Sequence, residues 1–441
     1  MRLTLIEQEL PADIHLRIIP IRQFKMLTIR MFAHSPLDED PGAKALLSLV
    51  LPRGTRGIPK SRALAQALDD LYGADLNLDV MKFGERELLS VQLTLPSGTY
   101  VGEEGLLARA LTFLRDVVFD PAREGDGTLR SDYVAQEKAN LIRIIQGIVD
   151  DKEQYAVFRL VQEMFRGTPF ARHRYGTVDE VQAETPDRLT RVYERLVRHA
   201  PIDLYIVGDV DGEEVRKVAA DILGPLSVER KVEPLPPMTR ARRVVVKDRR
   251  TVVDRMAVSQ GKLAIGLRTG IGFGDPAFPA LVVANGVLGG FSHSKLFQNV
   301  RERSSLAYYA YSRLEGTQGA AFLTAGIEFA HFEQAVHIIE EQVEAVKAGE
   351  IGEEEFDRTI RALRHHILVG EDSPNTRILT HLERSLYGMD ASPEARIAEL
   401  ERVTPEKARD AAGGLTFDTV YFLTEVGVTD RSQAPQPPVP A

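Results

Sequence analysis

The spacing of hydrophobic and polar positions predicts strands and helices in an order that the chain uses twice. In the first half the predicted elements are strands within 15–33, helices at about 42–51 and 61–72, and a hairpin of 76–82 with 87–95 that turns at Gly84. In the second half they are a strand at 257–267, helices at about 276–288 and 294–301, a hairpin within 307–327, and further helices from Phe332. The matching order indicates a duplicated unit.

The end of each half repeats most clearly. Thr185-Pro186 precedes a helical pattern that leads into an apolar run, and Thr404-Pro405 does the same near the carboxyl end. Threonine before proline is a strong signal for the start of a helix, because the hydroxyl caps the first turn and proline suits its first position. We predict an α+β fold with two homologous halves, each a mainly antiparallel sheet covered by helices.

Proline content places the boundary between the halves. The segment 232–239 is rich in proline, which blocks helix and disfavours interior strands. We predict one domain at 1–230, a linker at 231–240, a second domain at 241–430 and a disordered proline-rich tail at 431–441. The basic stretch 240–250 alternates in polarity and contains three consecutive valines, which favours a solvated strand beside the linker over a phosphate-binding patch.

Composition restricts the chemistry and the partners. None of the 441 residues is cysteine, which excludes disulfides, thiolate zinc sites and cysteine nucleophiles. The formal net charge of −9 disfavours nucleic acid and anionic membranes as partners. No apolar run reaches the roughly 18 residues of a membrane span, and the acidic start does not resemble a signal peptide. We expect a cytoplasmic protein that binds neither nucleic acid nor membrane.

Familiar catalytic motifs are absent from the sequence. There is no Gly-x-Ser-x-Gly elbow and no Walker loop, and Gly270-Ile-Gly-Phe-Gly274 reads as a turn rather than a dinucleotide site. Among the 10 histidines, His337 lies near two glutamates at helical spacing, but a second histidine is missing from that pattern. His365 and its histidine neighbour point about 100° apart on a helix, which suits joint ligation poorly.

The stretch 289–308 reads Gly-Gly-Phe-Ser-His-Ser-Lys-Leu-Phe-Gln-Asn-Val-Arg-Glu-Arg-Ser-Ser-Leu-Ala-Tyr. It resembles the second domain of the pitrilysin or insulinase-type zinc peptidases, where a glycine turn precedes Ser-Arg-Leu-Phe and Arg-Glu-Lys/Arg-x-Gly-Leu-x-Tyr. Arg301 and Tyr308 match the arginine and tyrosine of that pattern, whereas Ser305 replaces its glycine and Lys295 its first arginine. The resemblance implies that Arg301 and Tyr308 donate hydrogen bonds to a substrate carbonyl as it becomes an oxyanion. Without it, Arg301 reads as an exposed helix-end residue and Tyr308 as a strand residue that packs its ring.

The first half resembles the same family at 51–59, the segment that follows the zinc motif. Counting back from it, the His-x-x-Glu-His positions fall on Ala45, Ser48 and Leu49, and the distal glutamate falls on Arg143. The resemblance therefore implies degenerate metal positions and no metal bound by this chain, because none of these side chains is a zinc ligand.

Further segments resemble a zinc-less bacterial subgroup of the family, namely Glu137-Lys138, Asp150-Asp151-Lys152 and Tyr155-Ala156. Members of this subgroup accompany a zinc-bearing paralogue, and some are named for an association with elongation factor P modification. The resemblance covers nearly the whole chain. It implies duplicated domains like those of the mitochondrial processing peptidase.

The function that the resemblance implies is that of a non-catalytic subunit in a heterodimeric zinc metallopeptidase. The partner, a zinc-bearing paralogous peptidase subunit, supplies the zinc, and this chain supplies Arg301 and Tyr308. The substrate is a short or unfolded peptide, and a homodimer stays open for the chain purified alone. One alternative is a catalytically inert peptide-binding or assembly protein of the same fold. Another, a self-sufficient peptidase, requires His173, His365 or His381 to converge with acidic residues.

Overall fold

The computed structural model describes residues 5–241 and 243–426. Its strands are β1 (Ile6–Leu10), β2 (Ile14–Pro20), β3 (Met26–Pro36), β4 (Asp75–Phe83), β5 (Arg86–Pro96), β6 (Ile202–Gly208), β7 (Arg250–Met256), β8 (Gly261–Arg268), β9 (Ala307–Glu315), β10 (Ala320–Ile327) and β11 (Thr416–Glu425).

The α-helices are α1 (Pro41–Val50), α2 (Ser61–Asp69), α3 (Gly98–Val101), α4 (Leu106–Phe119), α5 (Ser131–Gly147), α6 (Lys152–Met164), α7 (Val178–Ala183), α8 (Pro186–His199), α9 (Gly212–Leu223), α10 (Phe278–Asn285), α11 (Phe332–Ala348), α12 (Glu353–Gly370), α13 (Pro374–Leu386), α14 (Pro393–Glu401) and α15 (Pro405–Ala412). Among these helices, none has both the length and the apolar character that crossing a bilayer requires.

The chain divides into two compact units. The first contains the described residues up to Gln146 together with His173–Pro236, and the second contains Gly147–Arg172 together with the described residues from Pro237 onward. The change of unit after Pro236 falls inside the predicted linker. The segment 147–172, however, lies within the predicted first domain by sequence and groups with the second unit in space.

The packing of α6 explains this grouping. Tyr155, Leu160 and Met164 recur at helical spacing on α6 and join a buried cluster with Phe322 of β10 and Tyr421 of β11. An amphipathic helix gains stability by burying its apolar face. The sequence shows that α6 has such a face, but it does not show which sheet that face covers.

The two sheets have the same strand topology. The first unit has the order β1-β2-β6-β3-β5-β4 and the second has β7-β11-β8-β10-β9. Apart from the additional strand β1, each sheet begins with a parallel pair, β2 with β6 or β7 with β11, and continues with antiparallel neighbours. In each unit the strand from the end of the half inserts beside a strand from its start. This arrangement confirms the predicted α+β fold of two similar halves.

The helix starts that mark the repeat are also confirmed. The hydroxyl of Thr185 accepts a hydrogen bond from the Arg188 amide at the start of α8, and Thr404 accepts one from Lys407 at the start of α15. These helices lead into β6 and β11, the inserted strands of their sheets. The Thr-Pro capping pattern therefore correctly predicted the starts of the equivalent helices α8 and α15.

The strand boundaries predicted from the sequence were less accurate around the linker. The predicted strand at 240–250 is wrong for most of its length, because residues 243–249 form no strand and β7 begins at Arg250. The predicted strand at 257–267 is β8, which begins at Gly261. Pairing with β11 determines both outcomes, since β11 lies between β7 and β8. The predicted tail at 431–441 lies outside the described residues.

The glycines at 270–274 serve the packing of the chain. A Cβ placed on Gly272 would lie 2.4 Å from the Gly316 carbonyl oxygen and 2.7 Å from the Cβ of Ala241. Both distances are too short for any side chain. Gly272 is therefore required where the incoming segment at Ala241 lies against this turn, which explains the glycine pattern without a dinucleotide.

Candidate functional site

The degenerate metal positions of the first unit lie on one buried helix. Ala45 and Ser48 are buried on α1, and Leu49 is half-buried. The Ser48 hydroxyl donates a hydrogen bond to the Ala45 carbonyl oxygen at 2.7 Å, so its hydrogen-bond acceptor is in its own helix. A methyl group, an engaged hydroxyl and an isobutyl group provide no zinc ligand set.

Arg143, the fourth of these positions, is exposed on α5. Its guanidinium donates to the Ala139 carbonyl oxygen at 3.4 Å and to the Asn140 side chain at 3.5 Å, both on its own helix. Nowhere in the described part of the chain do three or more His, Cys, Asp or Glu side chains converge as metal ligands would. The residues at the family's zinc positions therefore do not fit the metal.

Charge pairs hold the elements around this helix. The Lys44 ammonium, next to Ala45, lies 2.6 Å from a carboxylate oxygen of Glu87 and donates to the Ser35 hydroxyl at 2.9 Å. On α5, buried Glu137 pairs with Arg53, which follows the end of α1. The charged side chains near the degenerate metal positions are thus paired with one another within the first unit.

The histidines considered as alternative ligands lie in separate settings. In the first unit, Nδ1 of His173 accepts a hydrogen bond from the Tyr175 amide at 3.1 Å, and burial lowers the pKa of His173 to about 3. In the second unit His381 is buried on α13, whereas His365 is exposed on α12. His173 therefore has the structural hydrogen bond that a loop histidine suggests.

In the second unit, the stretch 289–308 includes parts of two π-helical segments, Gly286–Gly290 and Phe297–Arg303. Arg301 lies on the second segment, whereas Tyr308 follows on β9. Gly289, the second-to-last residue of the first segment, has a non-helical backbone conformation, and a Cβ there would lie 2.6 Å from the Ser312 hydroxyl and 2.8 Å from Leu296. Glycine is required at this position for the segment to approach β9. π-Helical turns are rare and are often found at functional sites.

A β-bulge directs Tyr308 outward. In the hairpin, Gly326 pairs with Tyr309 and Ile327 pairs with Ala307, so Tyr308 is an extra residue between them. The insertion takes Tyr308 out of the ordinary alternation of the strand, and its side chain is 74% exposed. Bulges commonly redirect a side chain in this way.

Arg301 and Tyr308 line the same surface cleft, which has a volume of about 410 Å³. The Arg301 side chain is 43% exposed, and its Nε lies 3.7 Å from a Glu302 carboxylate oxygen. Its guanidinium carbon also lies 4.5 Å from the centre of the Phe297 ring. The structure thus brings the two predicted donors together at the protein surface.

Two further features of the cleft were not predicted from sequence. Glu328, immediately after β10, lines the cleft with Arg301 and Tyr308, and no motif in the sequence distinguishes it. Ser305, where the family has glycine, has a φ of 52°. A side chain is disfavoured in this left-handed region, which glycine adopts without that cost.

Comparison with known proteins agrees with these features. A family model described as "Peptidase M16 inactive domain" matches residues 183–363. The probable inactive metalloprotease YmfF of Bacillus subtilis is 38% identical over 418 residues, which cover 92% of this chain and 94% of that protein. An uncharacterized zinc protease of the same species, YmxG, is 28% identical over 167 residues, or 37% of this chain and 40% of that protein.

A solved structure extends the similarity to the whole fold. A conserved protein from Enterococcus faecalis superposes with a TM-score of 0.86 and 25% sequence identity, covering 96% of this chain and 99% of that one. Its coverage shows that both units have counterparts there. Because the YmfF alignment spans nearly all of both sequences, this chain is a peptidase-like member of the M16 peptidase family.

Proposed function

We propose that the chain is the non-catalytic subunit of a heterodimeric zinc peptidase. The observation that carries the proposal is the contrast between the two units. Ala45, Ser48 and Leu49 provide no zinc ligands, whereas Arg301 and Tyr308 share an exposed cleft. A surface that stabilises a reacting carbonyl without a metal of its own requires the zinc of another subunit.

The chemistry of the pair suits an oxyanion. A phenol donates one hydrogen bond and a guanidinium donates several, and both stabilise negative charge that develops on a carbonyl oxygen. The exposure of Tyr308 keeps its hydroxyl accessible. The Arg301–Glu302 contact is long and solvated, so an incoming oxyanion can replace it at small cost.

The substrate we propose is a short or unfolded peptide in an extended conformation. Tyr308 lies near the start of β9, which is the edge strand of the second sheet among the described strands. Edge strands present unpaired backbone groups, and extended peptides bind to such groups by main-chain hydrogen bonds. This binding mode places a peptide carbonyl within the region that Tyr308 occupies.

The partner we propose is a zinc-bearing paralogue of this chain. Bacillus subtilis supports this pairing, because two relatives of the chain from that species are named a probable inactive metalloprotease and a zinc protease. One subunit of each kind would provide the metal and the carbonyl donors separately. The chain by itself binds no cofactor in this proposal.

Reconstitution tests the proposal. Zinc-dependent cleavage of a quenched peptide library is measured with this chain alone, with a zinc-bearing paralogue from the same genome alone, and with their mixture. Activity that requires the mixture supports the shared site. If the paralogue is equally active without this chain, the alternative of an inert peptide-binding or assembly protein replaces it. Zinc-dependent cleavage by this chain alone contradicts both.

A further inference from the structure

The second unit contains a cavity of about 270 Å³ that the proposed peptidase function does not use. It lies among α10, α12, α13 and α14. One wall is apolar and consists of Phe273, Phe278, Val282, Leu363, Ile367 and Leu400. The ring centres of Phe273 and Phe278 are 4.6 Å apart, so the two rings form a continuous aromatic surface. This wall suits an aromatic or branched apolar group.

The rest of the lining includes charged side chains from α13 and α14. Both of its arginines have carboxylate partners, since Arg384 pairs with Glu399 and Arg396 lies 3.6 Å from Glu371. Glu383 differs from the other carboxylates. Among the residues that the structure describes, its carboxylate forms no hydrogen bond and no ion pair.

The position of Glu383 is therefore costly for an ionised carboxylate. Burial and the nearby charge of Glu315 raise the pKa of Glu383 to about 7, although Arg384 and Arg396 partly oppose the shift. The Glu383 side chain is half-buried, and a partly desolvated charge without a partner destabilises a protein. A carboxylate kept in this state beside a solvent-accessible apolar cavity is a feature of binding sites.

We propose that this cavity binds a protonated amine carried on an aromatic or branched apolar body. The apolar side chains take the body of the ligand, the Glu383 carboxylate pairs with the ammonium group, and the hydroxyl of Thr380, which also lines the cavity, offers a further acceptor. The volume is near the lower limit of ligand pockets, about 300 Å³, so the ligand has the size of one amino-acid residue. A free amine and the amino terminus of a peptide share this chemistry.

Calorimetric titration of the full chain tests the proposal at neutral pH. The probes are 2-phenylethylammonium, the neutral 2-phenylethanol of similar shape, and methylammonium, which lacks the apolar body. We expect one molecule of 2-phenylethylammonium per chain, bound at least tenfold more tightly than either of the others. Phenylalanyl-glycine amide distinguishes the two sources: affinity equal to that of the free amine indicates a peptide terminus, and loss of affinity indicates a small molecule.

Variants separate the role of the carboxylate from that of the cavity. Glu383→Gln is expected to lower the affinity for the amine about tenfold while 2-phenylethanol still binds, which shows that the cavity is intact. Glu401→Gln, an exposed change on α14, serves as the matched control and keeps wild-type affinity. Equal binding of amine and alcohol, no binding of the amine, or an unchanged affinity in Glu383→Gln would overturn the proposal.

Discussion

Lys44 and Glu87 form a buried ion pair inside the first unit, with Nζ of the lysine 2.6 Å from a carboxylate oxygen. Their side chains are 3% and 0% exposed, respectively. Lys44 precedes Ala45, the first degenerate metal position, and is fixed to the start of β5 by this pair. The helix with the degenerate metal positions is thus held by a pair of side-chain charges.

Removing the lysine alone should be strongly destabilising. Lys44→Met leaves the Glu87 carboxylate buried without its ammonium partner, and we expect a loss of about 3–5 kcal/mol in the free energy of unfolding, measured with urea. The double variant Lys44→Met with Glu87→Leu should recover most of that loss, because neither charge is then buried. Lys217→Met, at an exposed position of α9, is the control. Equal losses in the single and double variants would contradict this role.

Replacing Ser305 with glycine should stabilise the second unit. The φ of 52° at Ser305 costs a side chain about 1–2 kcal/mol, and glycine avoids this cost while losing some backbone entropy on folding. We expect Ser305→Gly to gain about 0.5–1 kcal/mol in urea unfolding. The matched control is Ser304→Gly, because Ser304 has a φ of −90° and its hydroxyl donates to the Asn299 carbonyl oxygen. That variant should lose stability, and a similar loss in Ser305→Gly would show that the conformation is not strained.

Metal removal should leave the isolated chain unchanged. Ala45, Ser48, Leu49 and Arg143 contribute no zinc ligand set, so we expect 1,10-phenanthroline to leave the thermal midpoint where it was. Elemental analysis of the purified chain should find no stoichiometric zinc. The zinc-bearing paralogue, treated in parallel, serves as the positive control. One zinc per chain together with a lower midpoint after chelation would contradict the assignment.

Glu383 should make the stability of the chain depend on pH. Its pKa is raised from 4.5 to about 7, so between these values the folded state binds more protons than the unfolded state and stability falls as pH rises. The contribution lost by pH 8 is on the order of 2–3 kcal/mol. Glu383→Gln should therefore be more stable than wild type at pH 8 and similar to it at pH 5, as measured by urea unfolding. An equal effect of the substitution at both pH values would refute the shift.

Local signals explain how much of the fold the sequence predicted. Thr185 and Thr404 start their helices by hydrogen bonds within one turn, and Gly84 turns its hairpin with a φ of 59°, so both features follow from nearby residues. The start of β7 at Arg250 depends on parallel pairing with β11, whose residues follow much later in the chain. Pairing over that separation leaves no local pattern from which the boundary could be read.

In the candidate site, too, local motifs could be recognised in the sequence, whereas geometry that depends on distant residues could not. Arg301 and Tyr308 were located by their motif, but the bulge that exposes Tyr308 depends on its register with Gly326 and Ile327. Glu383 occupies an ordinary helical position, and four helices together create its surroundings. No spacing within α13 distinguishes it from a solvated glutamate.

In the proposed heterodimer, Arg301 and Tyr308 act at the zinc of the partner subunit. The most direct test measures kcat for peptide cleavage by the reconstituted heterodimer, with Arg301→Ala or Tyr308→Phe in this chain. We predict that each variant lowers kcat and kcat/KM together by about 100-fold, because the lost donors act in the transition state.

Subunit association, monitored by size-exclusion chromatography, should persist in both variants. Arg303→Ala in the same segment and Tyr100→Phe, an exposed tyrosine of the first unit, should retain wild-type turnover. Unchanged turnover in both Arg301→Ala and Tyr308→Phe, in an intact heterodimer, would contradict the account.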